Sequence, residues 1–204
     1  MRGSFTLSAY TGRRVVRELA MLCVAVIVGG VSTSRAAAQA GPSLVILVRH
    51  AEKAAMPGDD PPISDVGHAR ALALAMALKA SPPTTIIVSS RKRTAETAEE
   101  VANATGVTPQ VISLDGGGAA PIAAAAAAVR RATGVVLVVG HSNTVPAIIK
   151  ALGGPTLPDI CDATYSHFFV LTLAHDAQPA ALVIARYGAN EGAPPPTCVG
   201  MTPK

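Results

Sequence analysis

Three short segments of the 204-residue chain carry side chains that could bind or attack a phosphate group. The first holds Arg49 and His50, the second holds Arg93, and the third holds His141. Arginine presents paired N–H donors that match phosphate oxygens, and a neutral imidazole can form a covalent phosphohistidine. Each of these residues is commonplace alone, but together they suit a tetrahedral dianion.

Each segment follows a short apolar run typical of a buried strand, at residues 44–48, 85–89 and 135–139. In open sheets of parallel strands, ligands bind beyond the carboxyl ends of the strands. The three segments are therefore predicted to converge on one crevice. A helix predicted from about residue 143 to 152 would add free backbone N–H groups to it. Ser142 and Asn143, at the start of this helix, are predicted to bind substrate with Arg49, Arg93 and His141.

Strand-like and helix-like runs alternate along the rest of the chain. Ser64 is a plausible N-cap for one helix, and Gly106 would end another. Two final strands flank a turn at residues 176–179. This alternation predicts an α/β fold, a three-layer α/β/α sandwich with a mostly parallel central sheet. The predicted helices cover residues 64–79, 92–104, 122–132 and 143–152, and the remaining strands cover residues 110–114, 168–173 and 182–187.

Four motifs resemble those of the histidine phosphatase superfamily, which has the phosphoglycerate mutase-like fold. Residues 48–53 (VRHAEK) are similar to its RHG/RHAE signature, and residues 60–67 (DPPISDVG) to its LTxxG helix start. Residues 89–98 (SSRKRTAETA) and 139–144 (VGHSNT) are similar to its second-arginine and second-histidine segments. The motifs follow the family's order, and the absence of a long insertion resembles the small, minimal branch.

The resemblance implies that His50 is the nucleophile and that Arg49, Arg93 and His141 complete a phosphate pocket. It implies an enzyme with no cofactor and no metal, acting on a small phosphorylated substrate. The leading function is hydrolysis of phosphomonoesters or phosphohistidine. The alternatives are a mutase-like phosphotransferase, a pyrophosphohydrolase, and a non-catalytic module that binds phosphorylated ligands. Arg91 departs from the family pattern, because Leu or Pro is common at its position.

The general acid is left open by the sequence. Glu52, Asp115 and Asp162 are candidates, and a good leaving group would need no acid. Glu52 is preferred among the catalytic candidates because it belongs to the signature. Its alternative role is a carboxylate that orients an arginine or Lys53.

Residues 1–40 are predicted to be a secretory signal peptide, which leaves residues 41–204 as one phosphatase domain. Three arginines precede an apolar run at residues 19–31, and Ala38-Gln39-Ala40 offers a small-x-small cleavage site after Ala40. The run of about 13 residues is shorter than the roughly 20 that cross a bilayer, although an uncleaved anchor stays an alternative. Either the general secretory or the twin-arginine route would place the protein in the periplasm or outside the cell.

The formal charge of +4 does not predict nucleic-acid binding, because the leader carries five arginines against one glutamate. Without the leader the chain is close to neutral, and no stable membrane insertion is expected. The oligomeric state is left open. Cys161 and Cys198 could form a disulfide in an oxidising compartment, with two free thiols as the alternative. No metal site is predicted, because His68, His167 and His175 lack ligand spacing.

Overall fold

The computed structural model describes residues 41–174, 178–192 and 198. They form a six-stranded sheet with four helices, in the order β1, α1, β2, α2, β3, α3, β4, α4, β5 and β6. The strands are β1 (Pro42–Arg49), β2 (Thr85–Ser89), β3 (Gln110–Ile112), β4 (Gly134–Gly140), β5 (His167–Thr172) and β6 (Ala181–Arg186). The helices are α1 (Asp65–Leu78), α2 (Lys92–Thr105), α3 (Ala119–Arg131) and α4 (Thr144–Ala151).

The strand order across the sheet is β3-β2-β4-β1-β5-β6. The pairings β3–β2, β2–β4 and β4–β1 are parallel, whereas β5 and β6 extend the sheet as an antiparallel hairpin beside β1. The predicted mostly parallel α/β fold is confirmed. The predicted turn at residues 176–179 lies partly outside the described residues.

The side chains of β1, β2 and β4 alternate between two buried faces, as expected for a sheet with helices on both sides. On β1, Val45 and Leu47 pack in a core that includes residues of α3 and α4. Ile46 and Val48 point into the opposite core, which α1 and α2 cover. The result is the predicted three-layer arrangement.

Local signals set the helix boundaries. The Ser64 hydroxyl accepts a hydrogen bond from the backbone N–H of Gly67 and caps α1, and Gly106 ends α2 with a positive φ of 70°. A Cβ atom on Gly67 would lie 2.5 Å from the carbonyl oxygen of Glu52, so only glycine lets α1 approach the chain after β1. Helix α3 begins at Ala119, before the predicted Ile122. Pro121 is tolerated there because N–H groups in a first turn have no intrahelical acceptor.

No helix among the described residues is both long and apolar enough to cross a membrane. The predicted leader and its cleavage site, in residues 1–40, lie outside the described part of the chain.

Candidate active site

The sheet brings the ends of β1, β2 and β4 together, as the sequence predicted. Arg49, the last residue of β1, is paired with Gly140, the last residue of β4. The backbone N–H of His50 donates to the Gly140 carbonyl at 2.9 Å, which places His50 and His141 side by side. Their ring centroids are 5.4 Å apart.

The ring of His50 is oriented by its own backbone neighbour. Its Nδ1 atom lies 2.7 Å from the carbonyl oxygen of Ala51. A carbonyl oxygen can only accept a hydrogen bond, so Nδ1 carries the proton of the neutral ring. The lone pair is therefore on Nε2, which is the nitrogen available for attack.

Burial keeps His50 neutral. The residue is 3% exposed. Burial lowers the pKa of His50 to about 3, the backbone bond to Ala51 opposes this shift, and the positive charge of Arg49 adds to it. A neutral imidazole is the nucleophilic form, so His50 is ready to attack at neutral pH.

His141 lies between Ser89, at the end of β2, and Arg93, at the start of α2. Its Nε2 atom lies 2.9 Å from the Ser89 hydroxyl, and its Nδ1 atom lies 3.5 Å from Nη2 of Arg93. Because a guanidinium only donates, Nδ1 faces it with a lone pair and Nε2 donates to Ser89. Burial, followed by the charge of Arg93, lowers the pKa of His141 to about 4.

Arg49 is buried beneath the cleft. Its Nη2 atom pairs with the Asp162 carboxylate at 3.1 Å, and its guanidinium lies 4.3 Å from the centre of the Tyr165 ring. Arg93, at the start of α2, pairs with Asp60 at 3.4 Å. Within the described residues, the buried Nε atoms of both arginines have no hydrogen-bond acceptor. Because an unsatisfied buried donor is unfavourable, both atoms favour a bound oxyanion.

Arg49, His50, Arg93 and His141 line a cleft of about 490 Å³. Ser142 and Asn143, which were predicted to bind substrate, line it near the start of α4, and so do Lys53 and Arg91. Apolar and glycine residues form another part of the lining. It consists of Leu114, Gly117, Gly118, Pro121, Ile122 and Ala147.

Glu52 lies outside the lining of the cleft. Its carboxylate accepts hydrogen bonds from Arg70, with Nη2 at 2.6 Å and Nε at 2.9 Å from its oxygens. The structure therefore places Glu52 in the alternative role, as a partner of a buried arginine. Asp115 accepts from the Ser113 hydroxyl and is also not part of the lining, whereas Asp162 lines the cleft.

The remaining histidines lie on different elements or outside the described residues. His68 is exposed on α1, and His167 is buried on β5 against Phe169. His175 lies outside the described residues. In the part of the chain that the structure describes, no cluster of His, Cys, Asp or Glu has metal-binding geometry.

Sequence reasoning missed three residues that orient the site. Asp60 was not predicted to take part in the site, yet it pairs with Arg93 and accepts from the backbone N–H of Lys92. Ser89 orients His141, and its position at the end of β2 was a usable signal. Tyr165 packs on Arg49, but it lies in an irregular segment with no motif.

The family model of the histidine phosphatase superfamily (branch 1) matches residues 45–114. Nothing among the curated proteins matches the sequence significantly. The fold is similar to the protein histidine phosphatase SixA complexed with tungstate, at 22% identity and a TM-score of 0.56, over 70% of this chain and 96% of that one. A protein assigned as phosphohistidine phosphatase SixA from Nakamurella multipartitia is 26% identical, with a TM-score of 0.51, over 74% of this chain and 99% of that one.

The chain is therefore similar in fold to histidine phosphatases, and residues 45–114 match their family model. The residues matched by the family model include His50 and Arg93, and the similarity to solved structures concerns the fold. The predicted resemblance to this superfamily is confirmed.

Proposed function

We propose that the chain is an exported, metal-independent phosphatase that hydrolyses phosphomonoesters or phosphohistidine through a phosphohistidine intermediate. The observation that carries the proposal is the hydrogen bond between His50 Nδ1 and the Ala51 carbonyl, which leaves Nε2 of a neutral, buried ring as the nucleophile. The fold shared with proteins named as phosphohistidine phosphatases supports phosphohistidine as one substrate class.

The reaction has two steps. Nε2 of His50 attacks phosphorus, the bond to the leaving oxygen or nitrogen breaks, and the phosphoryl group becomes bonded to Nε2. Water then attacks phosphorus, the N–P bond breaks, and His50 returns with inorganic phosphate as product. The leaving group takes a proton from water or from Asp162, which is the candidate acid that lines the cleft.

The protein itself supplies the positive charge for both steps. Arg49 and Arg93 each have a buried Nε donor with no acceptor among the described residues, and the start of α4 adds the positive end of its dipole. This charge supports metal independence. Turnover of an aryl phosphate should persist in buffer treated with EDTA, and inhibition that zinc or magnesium reverses would contradict the proposal.

The same assay separates the enzyme from a binding module. A module would bind inorganic phosphate through the arginines without turning over the aryl phosphate. His50 favours the enzyme, because a binding site needs arginines but not a neutral nucleophile.

The cleft is wider than one phosphoryl group requires. Lys53 and Arg91 also line it, and among the described residues neither forms an ion pair. We therefore expect the preferred substrates to be small phosphate esters that carry a second negative charge.

Export is proposed from residues 1–40 and supported by the cysteines. Cys161 and Cys198 are joined by a disulfide, with their Cα atoms 5.4 Å apart. Such bonds persist in oxidising compartments. Sequencing the amino terminus of protein recovered from the periplasm or medium should give Gly41 first. Retention of the full chain in the membrane fraction would instead support the anchor.

A further inference from the structure

Arg49 of the phosphate pocket is held by one irregular loop that lies more than a hundred residues further along the chain. This clamp loop consists of residues 160–166. Nη1 of Arg49 donates to three of its backbone carbonyl groups, those of Cys161 at 2.8 Å, Asp162 at 3.0 Å and Thr164 at 3.1 Å. The Asp162 carboxylate and the Tyr165 ring, from the same loop, contact the rest of the guanidinium.

The clamp loop therefore sets the direction of the donor that remains for substrate. Its carbonyl groups occupy Nη1, whereas the buried Nε has no acceptor among the described residues. A guanidinium is rigid and planar, so its contacts at Nη1 and Nη2 fix where Nε points.

The clamp loop is anchored at both of its ends to the segment that follows β6. Near its start, the disulfide joins Cys161 to Cys198. At its end, the Glu191 carboxylate accepts from the Tyr165 backbone N–H at 2.5 Å and from the Ser166 hydroxyl at 2.8 Å. Since this loop lies outside the helices and strands, its position depends on these anchors.

Glu191 is itself fixed by charge. Nη2 of Arg70 lies 3.2 Å from the Glu191 carboxylate and 2.6 Å from that of Glu52. Glu52, the other carboxylate that Arg70 contacts, follows His50 by two residues. The network therefore connects the chain after the nucleophile to the loop that orients Arg49.

We propose that the Cys161–Cys198 disulfide and Glu191 are positioning groups that fix Arg49 for anion binding, so that full activity requires the oxidised protein. The proposal rests on the proposed function for turnover, whereas its effect on phosphate binding can be measured without turnover. Cys161 is directly concerned, because it supplies both the disulfide sulfur and a carbonyl acceptor for Arg49.

The test measures binding of inorganic phosphate by calorimetry to the oxidised protein and to protein reduced with dithiothreitol. Reduction converts the disulfide to two thiols and dithiothreitol to its cyclic disulfide. Three chains are compared: the wild type, Arg49→Ala and Arg93→Ala. Arg93 is the matched control, because its ion pair is with Asp60 and not with the clamp loop.

Reduction should weaken phosphate binding about tenfold in the wild type and in Arg93→Ala, but less than about twofold in Arg49→Ala. Effects that act through the same residue are not additive, whereas effects at independent sites are. Equal losses in all three chains would show general destabilisation and overturn the proposal. The absence of any loss, or wild-type binding no tighter than that of Arg49→Ala, would overturn it as well.

A second variant covers the case in which reduction unfolds the chain. Glu191→Gln keeps the disulfide and the shape of the side chain but removes the negative charge that pairs with Arg70. It should weaken phosphate binding in the wild-type background and not in Arg49→Ala, and equal weakening in both would count against the positioning role. If phosphate binding follows these expectations but no phosphomonoester is hydrolysed, the positioning role of the clamp loop is supported and the catalytic proposal is refuted.

Discussion

The hydrogen bond between His50 Nδ1 and the Ala51 carbonyl joins the nucleophile to the residue that follows it, at 2.7 Å. The bond selects Nε2 for attack, and it can persist after the phosphoryl group has bonded to Nε2, because the proton stays on Nδ1. The phosphorylated ring would keep the same orientation for attack by water.

His50→Ala should abolish hydrolysis, because the substitution removes the imidazole whose Nε2 atom attacks phosphorus. Brief mixing of wild-type protein with labelled substrate should trap a phosphoenzyme that is labile in acid and stable in alkali. His68→Ala is the control, since His68 is exposed on α1, and it should keep wild-type activity. Retention of about a tenth of the activity by His50→Ala would refute the assignment.

Neither site histidine should take up a proton between pH 8 and pH 5. Burial lowers the pKa of His50 to about 3 and that of His141 to about 4, both from 6.5. Nuclear magnetic resonance of the imidazole rings measures this directly. A titration of either ring near pH 6.5 in the folded protein would contradict the buried, neutral pair.

The same shifts predict how stability changes with pH. Below about pH 6.5 the unfolded chain binds protons at these two histidines and the folded chain does not, so the free energy of unfolding should decrease as the pH falls from 6.5 towards 4. Urea unfolding at pH 7 and pH 5 would measure this decrease. It should be smaller in His50→Gln, and an equal decrease would show that other groups cause it.

Arg93→Ala should lower kcat/KM by two to three orders of magnitude, because one preorganised donor to a developing charge contributes roughly 2.7–4 kcal/mol. Lys92→Ala is the matched control. Its side chain is exposed and only its backbone N–H contacts Asp60, so its kcat/KM should stay near that of the wild type. A loss of less than about fivefold in Arg93→Ala would remove Arg93 from the phosphate pocket.

The sequence was sufficient for the fold and for the backbone positions of the main site residues. Apolar runs of five residues mark β1, β2 and β4, and His50 and His141 directly follow β1 and β4. Because parallel strands share a carboxyl edge, their convergence could be predicted without knowing any side-chain contact.

The contacts that orient these residues could not be predicted. Asp60 with Arg93 and Glu52 with Arg70 are pairs between segments whose relative placement depends on how helices pack on the sheet. The interaction of Arg49 with the clamp loop is made mainly through backbone carbonyl groups. Every residue has such a group, so the sequence carries no signal for it.

Arg91→Ala should weaken the hydrolysis of doubly charged substrates most. Arg91 is half-buried, lines the cleft and forms no ion pair among the described residues. With an effective dielectric constant of about 20, a second anionic group several ångströms away would gain roughly 1–3 kcal/mol from its charge. We therefore expect kcat/KM to fall about tenfold for a phosphate ester with a second phosphate or carboxylate, and less than about twofold for a neutral aryl phosphate.

The difference between the two substrates should shrink at high ionic strength, because screening weakens interactions between partly exposed charges. Lys79→Ala is the control for a general loss of positive charge, since Lys79 is exposed after α1 and is not part of the cleft lining. It should change neither substrate's kcat/KM. Equal losses for both substrates in Arg91→Ala would place Arg91 at the reacting phosphoryl group rather than at the substrate's second charge.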